Sequence, residues 1–323
     1  MKWFLTHTFG PSKRFKKKTS FIPKNIKLND ITPTFKIGFV GDIMKMYGYS
    51  LEFHESVFDF FEEVELIVGN LEGIITLQPA FVTAQRHNIE IMEQLKTIKD
   101  PEQWLLCLSN NHSGDFGFAD FIFHLNRLHW EGFNVFGRKD IPNFLYRNTL
   151  NFTSGTMWLN QSQTSFVTRF EDVDDYFIDN PNIFNILYPH WHYEYELYPR
   201  PSIINDCKKA LEGWDLIVGH HPHVVQPITK YNINGIEKLI AYSMGNFCSG
   251  LDRRAHEFGA IMKCEIGPLK SNPELFAIGT VEWQFVRSEN EIIVKFKNKM
   301  PKIDNAPPKT VKVVEKNRFF KDI

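Results

Sequence analysis

The chain has 323 residues, 43% of them hydrophobic and 15% aromatic, with a formal net charge of −1. That is enough apolar material for a sizeable core, which excludes a disordered chain, and the near-zero balance excludes a strongly basic nucleic-acid binder. No run approaches the ~18 apolar residues that span a bilayer.

The charge is unevenly laid out. Residues 1–30 carry eight Lys/Arg against one acid, Asp30, and residues 295–323 carry nine against three. The sequence therefore divides into a basic lead (1–30), a body (31–294) and a basic tail (295–323). Solvated, poorly ordered ends are expected, with weak docking to an anionic membrane surface or polymer as the sharper alternative.

FKIGFVGD (35–42) is an apolar run ending in Gly-Asp and predicts a buried strand entering a loop. LEFHESVFDFFEE (51–63) spaces Phe53, Val57, Phe60 and Phe61 as a helix does. ELIVGN (65–70) predicts a second strand, and residues 90–99 a helix stopped by Pro101. EQWLLCLSNNH (102–112) predicts a third strand, residues 114–131 a helix with Ser113 as N-cap, and FNVFG (133–137) a fourth strand. TMWLNQ and TSFVTRF predict short strands, and residues 171–182 an acidic loop. IFNILYPH (183–190) and DLIVGHH (215–221) predict strands on either side of a helix over 202–212. The remainder up to about residue 287 is mostly β. The first half is βαβα and the last hundred residues are strand-rich, which fits one α/β domain with mixed sheets.

Cys107, Cys207, Cys248 and Cys264 form no CxxC pair. Buried free thiols are expected, which suits a reducing compartment. The start, MKWFLTHTFGPSKRFKKK, lacks the apolar core of a signal peptide, so a soluble, cytoplasmic protein is the expectation.

Five of these runs end in potential ligands: Gly41-Asp42, Asn70-Leu71-Glu72, Asn110-Asn111-His112, His190 and His221-Pro222-His223. In α/β sheets, ligand sites gather outside the carboxyl ends of strands. Carboxylates, imidazoles and an amide suit Mn²⁺, Fe or Zn²⁺ better than Ca²⁺ or Mg²⁺. Three of the 12 histidines fall in GHHPHVVQP (219–227). On an extended segment, His221 and His223 would point to the same side, and Pro222 biases His221 toward that backbone.

GDIM (41–44), GNLEG (69–73), LSNNHSGDFG (108–117), PHWHYEYE (189–196), GHHPHVVQP and YSMGNF (242–247) occur in one order. Together they resemble the CapA family of bacterial capsule or poly-γ-glutamate synthesis proteins, which is similar to the calcineurin-like metallophosphoesterases. The resemblance spans roughly residues 35–250. It implies a four-layer α/β/β/α sandwich of mixed sheets, metallophosphoesterase-like, with one or two divalent metal ions (Mn, Fe or Zn) at one end.

By that resemblance Asp42 and His223 bind one metal, and Glu72 or Asn70 takes the bridging position, with Glu72 preferred because Asn70 is neutral. Asn111, His190 and His221 bind the second metal. His112 is the general acid, and Asp115 orients its ring across a helical turn. Glu194 and His220 lie behind the ligands, with Glu194 either hydrogen-bonded to His190 or a solvated carboxylate. Trp191 is a packing wall and Gly245 serves a turn, while His54, His87, His124, His129 and His256 are assigned no chemistry.

The sequence departs from the phosphoesterase pattern. Met44 stands where Asp-x-His has its imidazole, Asn70 where an Asp is usual, and Ser113 where an acid follows Asn-His. His192 replaces a glycine and is expected to bring a bulky, basic group into the site.

The resemblance implies a metal-dependent hydrolase of capsule or exopolymer biosynthesis. Its substrate would be an anionic polymer or a phosphorylated small molecule or lipid-linked carrier. The alternative is a non-catalytic assembly factor that keeps the fold and holds polymer or a membrane synthase. No specific nucleic-acid partner is expected.

Overall fold

The computed structural model describes residues 10–79, 83–160, 166–252, 256–290 and 306–320. Its first strands are β1 (Asn25–Lys27), β2 (Phe35–Ile43) and β3 (Ser50–Phe53), followed by helix α1 (Glu55–Phe61). Next come β4 (Leu66–Leu71), β5 (Ile74–Ile75), β6 (Arg86–His87), α2 (Glu90–Lys96), β7 (Trp104–Cys107), α3 (Gly117–Trp130) and β8 (Asn134–Phe136). The middle of the chain supplies β9 (Asn143–Tyr146), β10 (Leu150–Thr153), β11 (Phe184–Leu187), α4 (Pro201–Ala210) and β12 (Leu216–Val218). The rest is nearly all strand: β13 (Ile228–Ile233), β14 (Ile236–Ala241), β15 (Asn246–Cys248), β16 (Phe258–Leu269), β17 (Asn272–Glu289) and β18 (Pro308–Val314).

The larger sheet runs β3-β18-β17-β16-β2-β4-β7-β8, with β1 on β17 and β15 on β2. The smaller sheet runs β13-β14-β12-β11-β10-β9. In the larger sheet β2, β4, β7 and β8 are parallel, and β16 and β17 are antiparallel. In the smaller one β10, β11, β12 and β14 are parallel, and β9 and β13 flank them antiparallel. The fold class is therefore α/β with two mixed sheets, as the alternation of elements predicts.

Period-2 alternation sorts the side chains. Ile37, Phe39, Leu66, Val68, Leu105 and Cys107 of the larger sheet share one apolar cluster with Phe184, Ile186, Leu216 and Val218 of the smaller one. The opposite face of the larger sheet (Val40, Ile67, Trp104, Leu106) packs with Val57 and Phe61 of α1, Leu95 of α2 and Phe121, Leu125 and Leu128 of α3. Leu187, Ile217 and Ile240 of the smaller sheet pack with Ile204 and Cys207 of α4. All four cysteines are free and buried.

Several elements differ from expectation. The helix expected over 51–63 is split: residues 50–53 are strand, and α1 starts at Glu55 because His54 accepts from the Ser56 amide as its cap. Helix α3 starts at Gly117, and Ser113 does not cap it, since its hydroxyl donates to the Leu108 carbonyl instead. The acidic stretch contains a 3-10 helix, Phe170–Tyr176. Around TMWLNQ and TSFVTRF only isolated bridges form, such as Thr156↔Arg169, and residues 161–165 lie outside the described residues.

Parts of the two ends pack into the fold, while residues 13–18 stay largely exposed. Strand β1 pairs with β17, and Phe21 stacks on Trp283 at 5.2 Å. Strand β18 pairs with both β17 and β3, and Phe320 is buried beside Phe21 and Phe285.

Candidate metal centre

The face that fills the space between the sheets continues past the strand ends, where it turns polar. Leu66 and Val68 are followed in the same parity by Asn70 and Glu72; Phe184, Ile186 and Tyr188 by His190; Leu216 and Val218 by His220. Strand β2 needs a correction to join them. Val40 and Ile43 both face the helices although they are three residues apart, and the β2–β4 register shifts between Phe39 and Asp42. That irregularity turns Asp42 inward, as bulges beside functional sites do. Gly41 permits it: a Cβ there would lie 2.1 Å from the Gly245 carbonyl, which accepts from the Asp42 amide at 2.8 Å. Gly245 itself has φ +64°, so it serves the turn expected of it.

The predicted residues meet. Asp42 is fully buried, with Oδ1 2.7 Å from Asn70 Nδ2 and 3.3 Å from His220 Nδ1, and Oδ2 3.2 Å from His223 Nδ1. Glu72 Oε1 lies 3.6 Å from His223 Nε2 and 3.9 Å from His112 Nε2. His190 Nε2 is 2.7 Å from Asn111 Oδ1 and 3.1 Å from His221 Nδ1. Asn70 spends its amide on Asp42, His190 and Asn110, so it ties the two groups together. His112 Nδ1 lies 2.7 Å from Asp115 Oδ2, which also accepts from the Gln85 amide. That pair is three residues apart, as expected, but sits in the turn before α3, not on a helix.

Two expectations are corrected, and for Glu194 the exposed alternative holds. His221 and His223 have φ +92° and +56°, so they converge on a bend and not on an extended segment. Positive φ is costly for such residues and concentrates at functional sites. Glu194 is exposed and groups with His221 and His223, while the His190 nitrogens face Asn70, Asn111 and His221. His192 is no basic group in the site: it is buried and stacked on Trp191 at 4.0 Å, and burial, then Arg200, hold its pKa well below the usual imidazole range. Trp191 packs in the apolar cluster of the smaller sheet, and its indole N–H donates to the Tyr242 carbonyl.

Burial and neighbouring charges shift the groups of the centre strongly. Burial pushes the Glu72 carboxyl well above its usual range, against the pull of His223. Burial alone would raise Asp42 too, but His220 and His223 hold it well below. His223 is pushed up to about 10 because Glu72 and Asp42 outweigh its burial. His190 and His221 are driven down by burial and by neighbouring imidazoles, and so are neutral.

Both Glu72 oxygens are buried with no hydrogen-bond partner among the described residues. Such a carboxylate costs several kcal/mol unless it is compensated. Ligand atoms of Asp42, Glu72 and His223 lie within 4.8 Å of one another. A divalent cation fits this donor set: it would satisfy Glu72 and favour the neutral imidazole at His223.

Sequence reasoning passed over two positions. Asn246 Oδ1 lies 3.1 Å from His223 Nδ1, and Asn246 Nδ2 lies 3.2 Å from His256 Nδ1, whose ring stacks on His223. The signal for Asn246 was present in YSMGNF; a lone His256 carried none.

Fold and centre define a two-sheet α/β protein with a His/Asp/Glu/Asn cluster at converging strand ends. Residues 179–251 match the model of the bacterial capsule synthesis protein family PGA_cap. The PGA biosynthesis protein CapA of Bacillus subtilis is 27% identical over 247 residues, covering 65% of this chain and 62% of that protein. The capsule biosynthesis protein CapA of Bacillus anthracis is 26% identical over 236 residues, covering 64% and 56%. The chain thus matches about three fifths of the length of these relatives. It is similar to the CapA proteins of bacterial capsule synthesis. Two solved structures are distantly similar: a hypothetical protein from Thermus thermophilus (TM-score 0.43, 12% identity, 76% of this chain and 98% of that one) and the calcineurin-like phosphoesterase YfkN from Bacillus subtilis (TM-score 0.42, 11% identity, 78% and 90%).

Proposed function

We propose that the protein is a divalent-cation-dependent hydrolase of capsule or exopolymer biosynthesis, acting on a phosphoester or a related bond of an anionic, poly-γ-glutamate-type polymer or its phosphorylated carrier. The observation that carries this reading is the buried carboxylate of Glu72, which has no hydrogen bond among the described residues and is met by Asp42 and His223. Asp42, Glu72 and His223 would hold one cation, and Asn111, His190 and His221 a second. A bound cation of this kind supplies Lewis acidity and lowers the pKa of water toward ~7.

The chain's own residues do the rest. Asp115 accepts from His112 Nδ1 and fixes the ring with Nε2 toward Glu72. A proton held at Nε2 is then available to a leaving oxygen or nitrogen. Asn70 keeps Asp42 and His190 in register by hydrogen bonds to both.

Lys13, Arg14, Lys16, Lys17 and Lys18 are exposed in one stretch, which supports weak contact with an anionic membrane surface or a synthase. Among the described residues no helix is long and apolar enough to cross a membrane. Vesicle binding that survives replacement of those five residues by Gln would refute the contact.

Metal analysis paired with turnover of an aryl phosphate ester tests the main reading. Wild-type protein takes up Mn, Fe or Zn and turns over, Glu72→Gln loses cation, and His112→Ala keeps cation and loses turnover. Cation uptake with no turnover of phosphate esters would favour the non-catalytic assembly factor, in which the centre only stabilises the fold.

A further inference from the structure

The loop 192–195 faces the bend 221–223, and both carry backbone cost. His192 and Tyr195 have φ +68° and +60°, matching the positive φ of His221 and His223 across from them. The Tyr195 amide donates to the Pro222 carbonyl at 2.9 Å, and the Trp191 amide donates to the His220 carbonyl at 3.1 Å. Left-handed backbone at four non-glycine residues persists only where the surroundings over-determine it. Here the two fastened loops bring a ligand atom of Glu194 within 4.8 Å of one on each of His221 and His223. Glu194 is exposed, whereas both histidines are buried.

We infer that Glu194 is a further carboxylate ligand of the centre, reaching it from the solvent side between His221 and His223, the imidazoles of its two cation positions. This rests on the metal-centre reading above and extends its ligand set.

Equilibrium dialysis against Mn²⁺ alone, followed by metal analysis, tests the assignment on four full-length proteins: wild type, Glu194→Gln, Glu72→Gln and Glu212→Gln. The last changes an exposed acid just after α4 and controls for overall charge. Thermal melts in chelator verify that all four are folded. The expected result is that Glu194→Gln binds at least one equivalent tenfold or more weakly, while Glu212→Gln matches wild type. If Glu194→Gln matches wild type while Glu72→Gln loses cation, the role of Glu194 is overturned and the centre stands. If Glu194→Gln and Glu212→Gln weaken equally, general negative charge explains the effect and the assignment fails. If wild type takes up no Mn²⁺, the centre itself is refuted.

Discussion

At the scale of single residues, the chemistry divides between groups that would bind a cation and a pair that would move a proton. His112 and Asp115 form the second set, with the 2.7 Å contact fixing which ring nitrogen faces the centre. Removing the orienting carboxylate should therefore cost less than removing the ring. On an aryl phosphodiester, Asp115→Asn is expected to lower kcat about 10–100-fold with cation uptake unchanged. His112→Ala is expected to lower it about 10²–10⁴-fold. Equal loss in both variants, or loss of cation in either, would contradict the division. The sequence made these residue types legible because few other roles need Asn-Asn-His and His-Pro-His at strand ends. It did not make the backbone at His221 and His223 legible. Positive φ at a non-glycine residue depends on tertiary fastening, here by the Tyr195 amide on the Pro222 carbonyl, and no local pattern encodes that.

At the scale of elements, alternation explains why the ligands converge. Strands β4, β11 and β12 carry the inner parity beyond their ends, and β2 reaches it through its irregularity at Gly41. The parity of β4, β11 and β12 can be read from the sequence. The shift in β2 cannot, because it depends on the close approach of Gly245. Helix α3 adds a testable liability. His124 is buried, its Nδ1 accepts from the Ile75 amide, and Nε2 has no partner among the described residues. Burial, and secondarily His87, pushes its pKa down from 6.5 to about 3. The folded pKa is depressed, so the stability tied to neutral His124 is full above pH 6.5 and is lost as pH falls toward 3. Between pH 7 and pH 5 that loss is about 2 kcal/mol. Denaturant unfolding at the two pH values should show wild type losing about that much more than His124→Gln, which accepts the same hydrogen bond without titrating. Identical pH dependence in the two proteins would contradict this account.

At the scale of the whole molecule, both ends of the chain fasten to β17. Strand β1 and Phe21 approach it from one end of the sequence, and β18 and Phe320 from the other. Charge counting missed this because lysines dominate the composition of both ends while the apolar minority does the packing. Even Lys309 is buried, paired with Asp252 at 2.9 Å. Phe320→Ala is expected to cost about 3 kcal/mol. Phe21 and Phe320 touch edge to face at 4.9 Å. A double-mutant cycle with Phe21→Ala should therefore show coupling of about 1 kcal/mol. Strict additivity would mean that the two ends stabilise the sheet independently.

The converging loops matter functionally only if they hold cations. Anomalous diffraction from crystals grown with Mn²⁺ addresses that directly. Density for manganese is expected among the side chains of Asp42, Glu72 and His223, and among those of Asn111, His190 and His221. A map with these side chains well ordered and no anomalous peak between them would contradict the account.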